Sequence, residues 1–424
     1  MLNVVENVAC TLCGCVCDDL KISTHDGRVV SAEHACRAIA TPWFLAQNER
    51  MPPPVLVEGS VVAREMALER AAQILRNADA PLIYGLSRSS THGQRAAVAL
   101  ADQLGATIDT TASLCHGPSI LALQQTGEST SSLGEVSNRA DLVIFWGCNP
   151  AVTHPRHFER YSVDPAGEFR PHGRADRTVI VINREPNETS ALADQFLQVE
   201  PDRDFDALWS LRRVIAGEPL PAGVSTGLTR EQLDELAERM KSCQSGVIFF
   251  GLGLSQNWIG HLNVSALLQL VTDLNRHTRF YARRLRIYGD VTGADSVLCW
   301  QTGYPYSVSL SRGYPRFNPG EFSAEDLLAR EEVDACLLVG SETVDQFSAA
   351  ARAHLKRIPT IVLEYPNFEV PFTPTVTFTT AIYGVHRPGT AYRMDEVPIP
   401  LRKFLDCDYP SDDEILAELS QRVG

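Results

Sequence analysis

Cys10, Cys13 and Cys17 fall within one stretch of eight residues, and Cys36 follows after eighteen intervening residues. One compact loop can wrap four such thiolates round a single centre, and a four-cysteine ligand set suits a [4Fe-4S] cluster or structural zinc. Zinc sites more often pair two short Cys-x2-Cys knuckles. Three ligands together with a fourth arriving alone favour the cluster. Cys15 is a spare thiol in the same stretch, and reduced cysteines without metal are the plain alternative. A second signal is Cys115-His116-Gly117-Pro118-Ser119, which follows an expected strand at 106–110. Cys115 then falls near a strand's carboxyl end, where a thiolate could bind a soft metal, although a buried structural cysteine would look the same. The third is Trp146-Gly147-Cys148-Asn149-Pro150, with His154-Pro155 close behind. Backbone amides and an Asn side chain at such a turn could hold an anionic or heterocyclic ligand, and an Asn-Pro turn without a ligand is the alternative. The next strand runs out into Asn183-Arg184-Glu185, and later come Ala193-Asp194 and 200–204, ending in Asp204. These are expected as exposed strand-end positions.

The elements that must position these residues are legible as hydrophobic pattern. Met66, Leu68, Ala71, Ala72 and Leu75 are spaced as one face of a helix over Arg64–Asn77. A strand over Pro81–Gly85, a polar turn (Ser87, Arg88, Ser89, Ser90) and a helix from Thr91 to Leu104 complete a strand-turn-helix unit. Short Val/Ile/Leu/Phe runs at 140–147, Thr178–Asn183, 246–251, 333–340 and 359–364 read as buried parallel strands separated by helices. Six or more such strands make two doubly wound layers more plausible than one very wide sheet, with ligands at the strand carboxyl ends. The Gly-, Pro- and Tyr-rich stretch 301–321 reads as a long ordered loop, and 406–418 as a solvated terminal helix without chemistry.

At 424 residues and 44% hydrophobic content the chain exceeds the roughly 250–300 residues at which single cores stop growing, so two or more domains are expected. A formal charge of -14, from 52 acidic against 38 basic residues, would repel a phosphate backbone, and no nucleic-acid partner is expected. The N-terminus lacks the pattern of an export signal, and no run of about 18 apolar residues occurs, so a cytoplasmic protein without membrane partners is expected. Eleven cysteines, five of them in the first 36 residues, then suggest metal rather than disulfides.

A cysteine cluster, a metal-site residue after a strand, Asn149-Pro150 followed by His154-Pro155, and then a strand leading to Ala193-Asp194 occur in the order of the molybdopterin oxidoreductases, which the chain resembles. Within that superfamily, five motifs resemble the B subunit of formylmethanofuran dehydrogenase over nearly the whole chain. They are the head Cys-Thr-Leu-Cys-Gly-Cys-Val-Cys-Asp-Asp, Cys115-His116-Gly117-Pro118, Trp300-Gln301-Thr302-Gly303-Tyr304-Pro305, Ser311-Arg312-Gly313-Tyr314-Pro315-Arg316 and Gly389-Thr390-Ala391-Tyr392-Arg393-Met394-Asp395.

The resemblance implies an α/β fold: a small N-terminal Fe-S domain (1–55) plus two doubly wound, Rossmann-like α/β domains of the molybdopterin oxidoreductase type. One of these is discontinuous (56–136 and 286–395), the other is inserted (137–285), and 396–424 is a C-terminal tail. It implies one [4Fe-4S] cluster on Cys10, Cys13, Cys17 and Cys36, and a tungsten or molybdenum bis-pterin guanine dinucleotide with Cys115 on the metal. Cys115, His116 and Arg286 would be catalytic, and Asn149, Pro150, His154, Asn183, Asp204 and Gly303 would contact the cofactor. CO2 would be reduced to formate here, and formate condensed with methanofuran on another polypeptide. The implied partners are the other polypeptides of one complex. They comprise an amidohydrolase-like A subunit, a C subunit, a D subunit that is the separate cofactor domain, a formyltransferase and, for the redox role, ferredoxin-type subunits.

The chain departs from the superfamily pattern in several places. Arg37 follows the fourth cysteine where a Lys is usual, Asn183-Arg184-Glu185 replaces Asp-Pro-Arg, Pro201-Asp202-Arg203-Asp204 replaces Pro-Gly-Thr-Asp, and Ile287-Tyr288 follows Arg286 in place of Gly-His. These departures motivate an alternative of another class: a non-redox scaffold subunit of a bacterial formyltransferase/hydrolase complex that hydrolyses formyl-methanofuran analogues to formate elsewhere.

Overall fold

The strand runs Leu142–Trp146 and Ala335–Val339 are buried at every residue. A strand with no polar face can only sit inside a sheet covered on both sides. Two such sheets form, one in each of two units into which the computed structural model, describing residues 2–424, divides. Unit 1 runs to Leu114 and resumes over Tyr288–Gly424, and unit 2 is Cys115–Ile287. The chain leaves unit 1 between Leu114 and Cys115, earlier than the expected inserted-domain boundary. Residues 115–136, with the helix Gly117–Thr126, therefore belong to unit 2.

Unit 2 holds a five-stranded, all-parallel sheet in the order Gln195–Gln198, Thr178–Asn183, Leu142–Trp146, Ser245–Phe250, Arg279–Arg284. Alternate residues face opposite sides: Ile144, Trp146, Ile180, Ile248 and Phe250 enter a core shared with the helices Asp204–Ile215, Arg230–Ser242 and Gly260–Leu274. On the opposite face Phe145 and Phe249, in register on neighbouring strands, stack at 5.5 Å.

Unit 1 holds a nine-stranded mixed sheet. Its centre is five parallel strands in the order Thr107–Thr110, Pro81–Gly85, Ala335–Val339, Thr360–Glu364, Val376–Thr379. Antiparallel strands flank it, Val308–Ser309 and Arg316–Phe317 at one edge and Val55–Val57 and Ser60–Val61 at the other. Ile83, Leu337 and Ile361 point to one face, towards the helices Arg64–Asn77 and Thr91–Leu104, and Leu82, Tyr84, Cys336, Leu338 and Val362 point to the other. A three-stranded antiparallel sheet, Leu2–Val8, Leu20–His25 and Arg28–Glu33, carries the cysteine loop. The hairpin Gly389–Tyr392/Pro398–Leu401 packs Ala391, Ile399 and Leu401 on Ala9 and Val16 of that loop.

Two expectations are corrected. The helix at the C-terminus, Asp412–Val423, is not a solvated tail: its Ile415, Leu416 and Leu419 are fully buried in the unit 1 core, against Arg64–Asn77 and Thr91–Leu104. Its acidic residues mask an apolar stripe at i, i+1, i+4, and Ser411 with Glu414 forms a capping box. In the stretch 301–321, Gln301 and Thr302 are the last turn of the helix Val291–Thr302, and the remainder is irregular apart from two short strands. The fully buried Asp109 pins that irregular part, its carboxylate accepting from the backbone N–H of Thr110 (3.0 Å), Ser307 (2.8 Å) and Ala324 (2.8 Å). No helix of the described residues is long and apolar enough to cross a membrane.

Because Leu416 lies wholly within the core, Leu416→Ala is expected to cost about 2–5 kcal/mol in urea unfolding; a loss under about 1 kcal/mol would return the helix to the solvent. Burial raises Asp109 to about 6, against the lowering effect of its N–H and Ser113 hydroxyl donors. A carboxyl raised in the folded state binds its proton more tightly there than when unfolded, so its contribution to stability is full below pH 4 and is lost as pH rises through 6. The stability difference between wild type and Asp109→Asn should therefore shrink from pH 4 to 6 and then level off. A difference that grew over that window would show the carboxyl to be depressed instead.

Candidate functional site

The cysteine loop is closed by its own backbone: Cys10 N–H donates to Cys17 O at 2.8 Å, and Val16 N–H to Cys13 O at 3.1 Å, with Val16 in the left-handed region at φ 36°. The fourth cysteine stands just before the helix Ala40–Leu45, and its Sγ accepts from Ala40 N–H at 3.3 Å. Burial raises the Cys10 thiol first, and the charges of Cys13, Cys17 and then Cys36 raise it further, so the four predicted ligands share one electrostatic neighbourhood. Cys15 turns inward, 1% exposed, and hydrogen-bonds with Cys13 and Cys17. Nothing local marks Cys15 for this place, since the facing of a loop residue has no period to read. Arg37, the cation after the fourth cysteine, is exposed. No disulfide joins the described cysteines, and among the described residues no three His, Cys, Asp or Glu side chains are grouped as ligands of a single metal ion.

Beside this loop, within unit 1, lies a cavity of about 180 Å³. Thr11, Leu12 and Trp43 line it from the head, and Arg88, Glu342 and Tyr365 from the carboxyl ends of three parallel strands. Arg88 is held over the Phe368 ring at 3.0 Å, with Glu364 at 3.2 Å and Glu342 at 3.6 Å. The Ser87 hydroxyl donates to Glu342, whose carboxyl is raised by burial and lowered again by Arg88. Glu342 and Glu364 were not foreseen as site residues. The available signal was their place one to three residues beyond, or at the last position of, an all-buried strand.

Unit 2 carries a larger cavity, about 430 Å³, again at the carboxyl edge of its parallel sheet. The turns after Trp146, Ile182, Phe250 and Arg284 supply Gly147–Asn149, Asn183–Glu185, Gly251–Gly253, Leu285 and Ile287. Gly147 has φ 60° and packs so closely on the next turn that a Cβ would lie 2.8 Å from Leu254 N, which leaves no residue but glycine there. Asn149, Asn183 and His154, three of the candidate cofactor contacts, line the cavity. The Asn149 amide is already engaged, donating to Glu188 at 2.6 Å and accepting from the Thr189 hydroxyl at 2.8 Å. Pro150 is buried at the start of the short helix Pro150–Thr153 and does not line the cavity.

Two further predicted cofactor contacts fall elsewhere. Asp204 accepts from the Trp146 indole N–H at 2.8 Å and opens the helix Asp204–Ile215, so its carboxylate is used to join strand to helix. Gly303 lies in unit 1, where it ends the helix Val291–Thr302 in the left-handed conformation, and it lines neither cavity.

The chemistry-bearing residues of unit 2 converge on the segment after strand Arg279–Arg284. Cys115, 9% exposed, precedes the helix Gly117–Thr126. Next to it the fully buried His116 places Nε2 3.1 Å from Leu285 O and Nδ1 3.1 Å from Ser119 Oγ. His154, also fully buried, places Nε2 2.7 Å from Arg286 O and Nδ1 2.8 Å from Thr153 Oγ1. A carbonyl only accepts, so each ring carries its hydrogen on Nε2. Burial holds both rings neutral: His154 falls to about 4, and His116 goes well below its ordinary value with help from the charges of Arg286 and Arg284. Arg286 is 3% exposed, and Arg284, also buried, pairs with Glu128 at 3.3 Å. His116 and His154 thus meet the backbone on either side of the Arg286 Cα, and Cys115 reaches this strand end as the chain neighbour of His116; Cys115, His116 and Arg286 line neither cavity.

No family model matches the chain. It is 42% identical over 412 residues to the B subunit of tungsten-containing formylmethanofuran dehydrogenase 2 from Methanocaldococcus jannaschii, covering 96% of this chain and 95% of that one. Its fold is similar to a chain of the formyltransferase/hydrolase complex from Methylorubrum extorquens, at a TM-score of 0.71 and 23% identity, covering 87% of this chain and 98% of that one. It is also similar to acetylene hydratase from Pelobacter acetylenicus, at a TM-score of 0.68 and 11% identity, over 99% of this chain and 69% of that one. The chain belongs to the family of formylmethanofuran dehydrogenase B subunits.

Proposed function

We propose that this chain is the redox subunit of a formylmethanofuran dehydrogenase complex, interconverting CO2 and formate at a tungsten or molybdenum bis-pterin site. The observation that carries this reading is the 3.1 Å contact of His116 with the Leu285 carbonyl, which sets the Cys115-His116 turn against the buried strand end that carries Arg286. The four-cysteine loop supports it.

The residues present suit the cofactors. Cys10, Cys13, Cys17 and Cys36 would hold a [4Fe-4S] cluster: their mutual repulsion as thiolates is the cost that a cationic iron core removes, and the N–H donated to Cys36 Sγ is the kind of bond that tunes a cluster's potential. Both cavities lie where parallel sheets bind ligands, and the polar wall of Asn149, Asn183 and Arg184 in unit 2 suits the phosphate-linked guanosine end of a pterin dinucleotide. Cys115 would supply the soft sulfur ligand to the metal. When bound, that metal provides the two-electron couple that CO2 reduction requires.

The chain's own residues do the rest. The Arg286 guanidinium, buried and permanently charged, would bind the formate carboxylate or the charge that builds on the oxygens of CO2. Neutral His116 would add no charge of its own and keep the strand end in place. The buried setting strengthens these interactions by excluding water. The complex would include an amidohydrolase-like polypeptide, another that carries the separate cofactor domain, a formyltransferase, and ferredoxin-type subunits that pass electrons to the cluster.

Metal analysis of the complex purified without oxygen tests the proposal: about four irons and about one tungsten or molybdenum per chain are expected. Cys115→Ala should lower CO2 and formate turnover by more than the roughly 10- to 100-fold typical of losing an outer contact to a metal site, in a complex that still assembles. An intact complex free of iron and both heavy metals, yet hydrolysing formyl groups, would leave the chain a scaffold.

A further inference from the structure

Two successive carbonyls in unit 2, those of Leu285 and Arg286, each accept from the Nε2–H of a different buried histidine, His116 at 3.1 Å and His154 at 2.7 Å. Both histidines have their other ring nitrogen against a hydroxyl, Ser119 for His116 and, for His154, Thr153, whose hydroxyl also donates to Asn149 O at 3.1 Å. The segment they grip has left the sheet: the strand ends at Arg284, and one further backbone bond, Leu285 N–H to Phe250 O at 2.9 Å, follows it. Leu285 and Arg286 are each 3% exposed, so a carbonyl that loses its histidine has few other partners at hand.

The geometric consequence follows from the planar peptide. Each peptide unit is rigid, and the two units on either side of a residue turn relative to each other only through that residue's φ and ψ. The Leu285 carbonyl belongs to the unit before the Arg286 Cα, and the Arg286 carbonyl to the unit after it. Holding both fixes φ and ψ of Arg286, and with them the direction in which its side chain leaves the backbone.

We propose that His154, paired with His116, is a positioning residue that sets the backbone of Arg286 and so aims its guanidinium at the substrate anion. The assignment of a substrate to Arg286 rests on the function proposed above; the clamp itself does not. It gives His154 a task apart from any contact with a cofactor. It also accounts for the tolerance of Ile287-Tyr288 after the arginine, since the aim is set by hydrogen bonds to the main chain and not by the residues that follow.

The test compares His154→Leu with His154→Gln in the purified complex, because glutamine can place an N–H donor where Nε2 stood and leucine cannot. Backbone hydrogen exchange of the peptide spanning 284–288 should accelerate in His154→Leu and stay near wild type in His154→Gln, with peptides of unit 1 unchanged in both. KM for formate should rise roughly tenfold or more in the leucine variant and recover in the glutamine variant, with tungsten or molybdenum content equal to wild type. Exchange in His154→Leu identical to wild type, or glutamine behaving as leucine does, overturns the proposal. A wild-type complex without either heavy metal would sink the redox reading alone, and the exchange comparison would still decide the clamp.

Discussion

Everything else in this chain follows from strands buried on both faces. Where a strand such as Leu142–Trp146 or Ala335–Val339 commits every side chain to packing, no residue within it is left for chemistry. Polar and charged groups are pushed to the turns beyond the strand ends. In parallel sheets those turns gather at one edge, and both cavities lie there: Gly147–Asn149, Asn183–Glu185 and Gly251–Gly253 in unit 2, and Arg88, Glu342 and Tyr365 in unit 1.

Placing polar groups at the edge of a dry core has an electrostatic cost, met differently in the two units. In unit 1 acids are kept in place by donors. Asp109 takes three backbone N–H groups, and Glu342 and Glu364 share Arg88. In unit 2 the histidines are kept neutral. A protonated ring would add charge beside Arg284 and Arg286, so His116 and His154 act as donors to carbonyls and leave the positive charge to arginine.

Much of the scaffold was legible because it is written as local period. The helices Arg64–Asn77 and Thr91–Leu104 and the strands Pro81–Gly85 and Thr178–Asn183 run as their hydrophobic spacing predicts. The acidic run near the C-terminus misled for the same reason: charge is conspicuous in a sequence, while the three apolar residues Ile415, Leu416 and Leu419 that bury the helix are not. Motif order pointed to Cys115, His116 and Arg286, although 169 residues separate His116 from its partner Leu285.

By itself, then, the sequence determined the residue types available for chemistry, the strand-and-helix alternation, and the family to which their order belongs. Tertiary structure decided which of those residues meet. Asp204 was spent on the Trp146 indole, Gly303 on ending a helix, and Cys15 was turned in among its neighbours. Glu342 joined a cavity wall unannounced, and His154 met the carbonyl of Arg286. Hydrophobic period is set by contacts a few residues apart and can be read along the chain. A hydrogen bond between His154 and residue 286 depends on where two turns of a folded sheet come to rest, and nothing local to either residue encodes it.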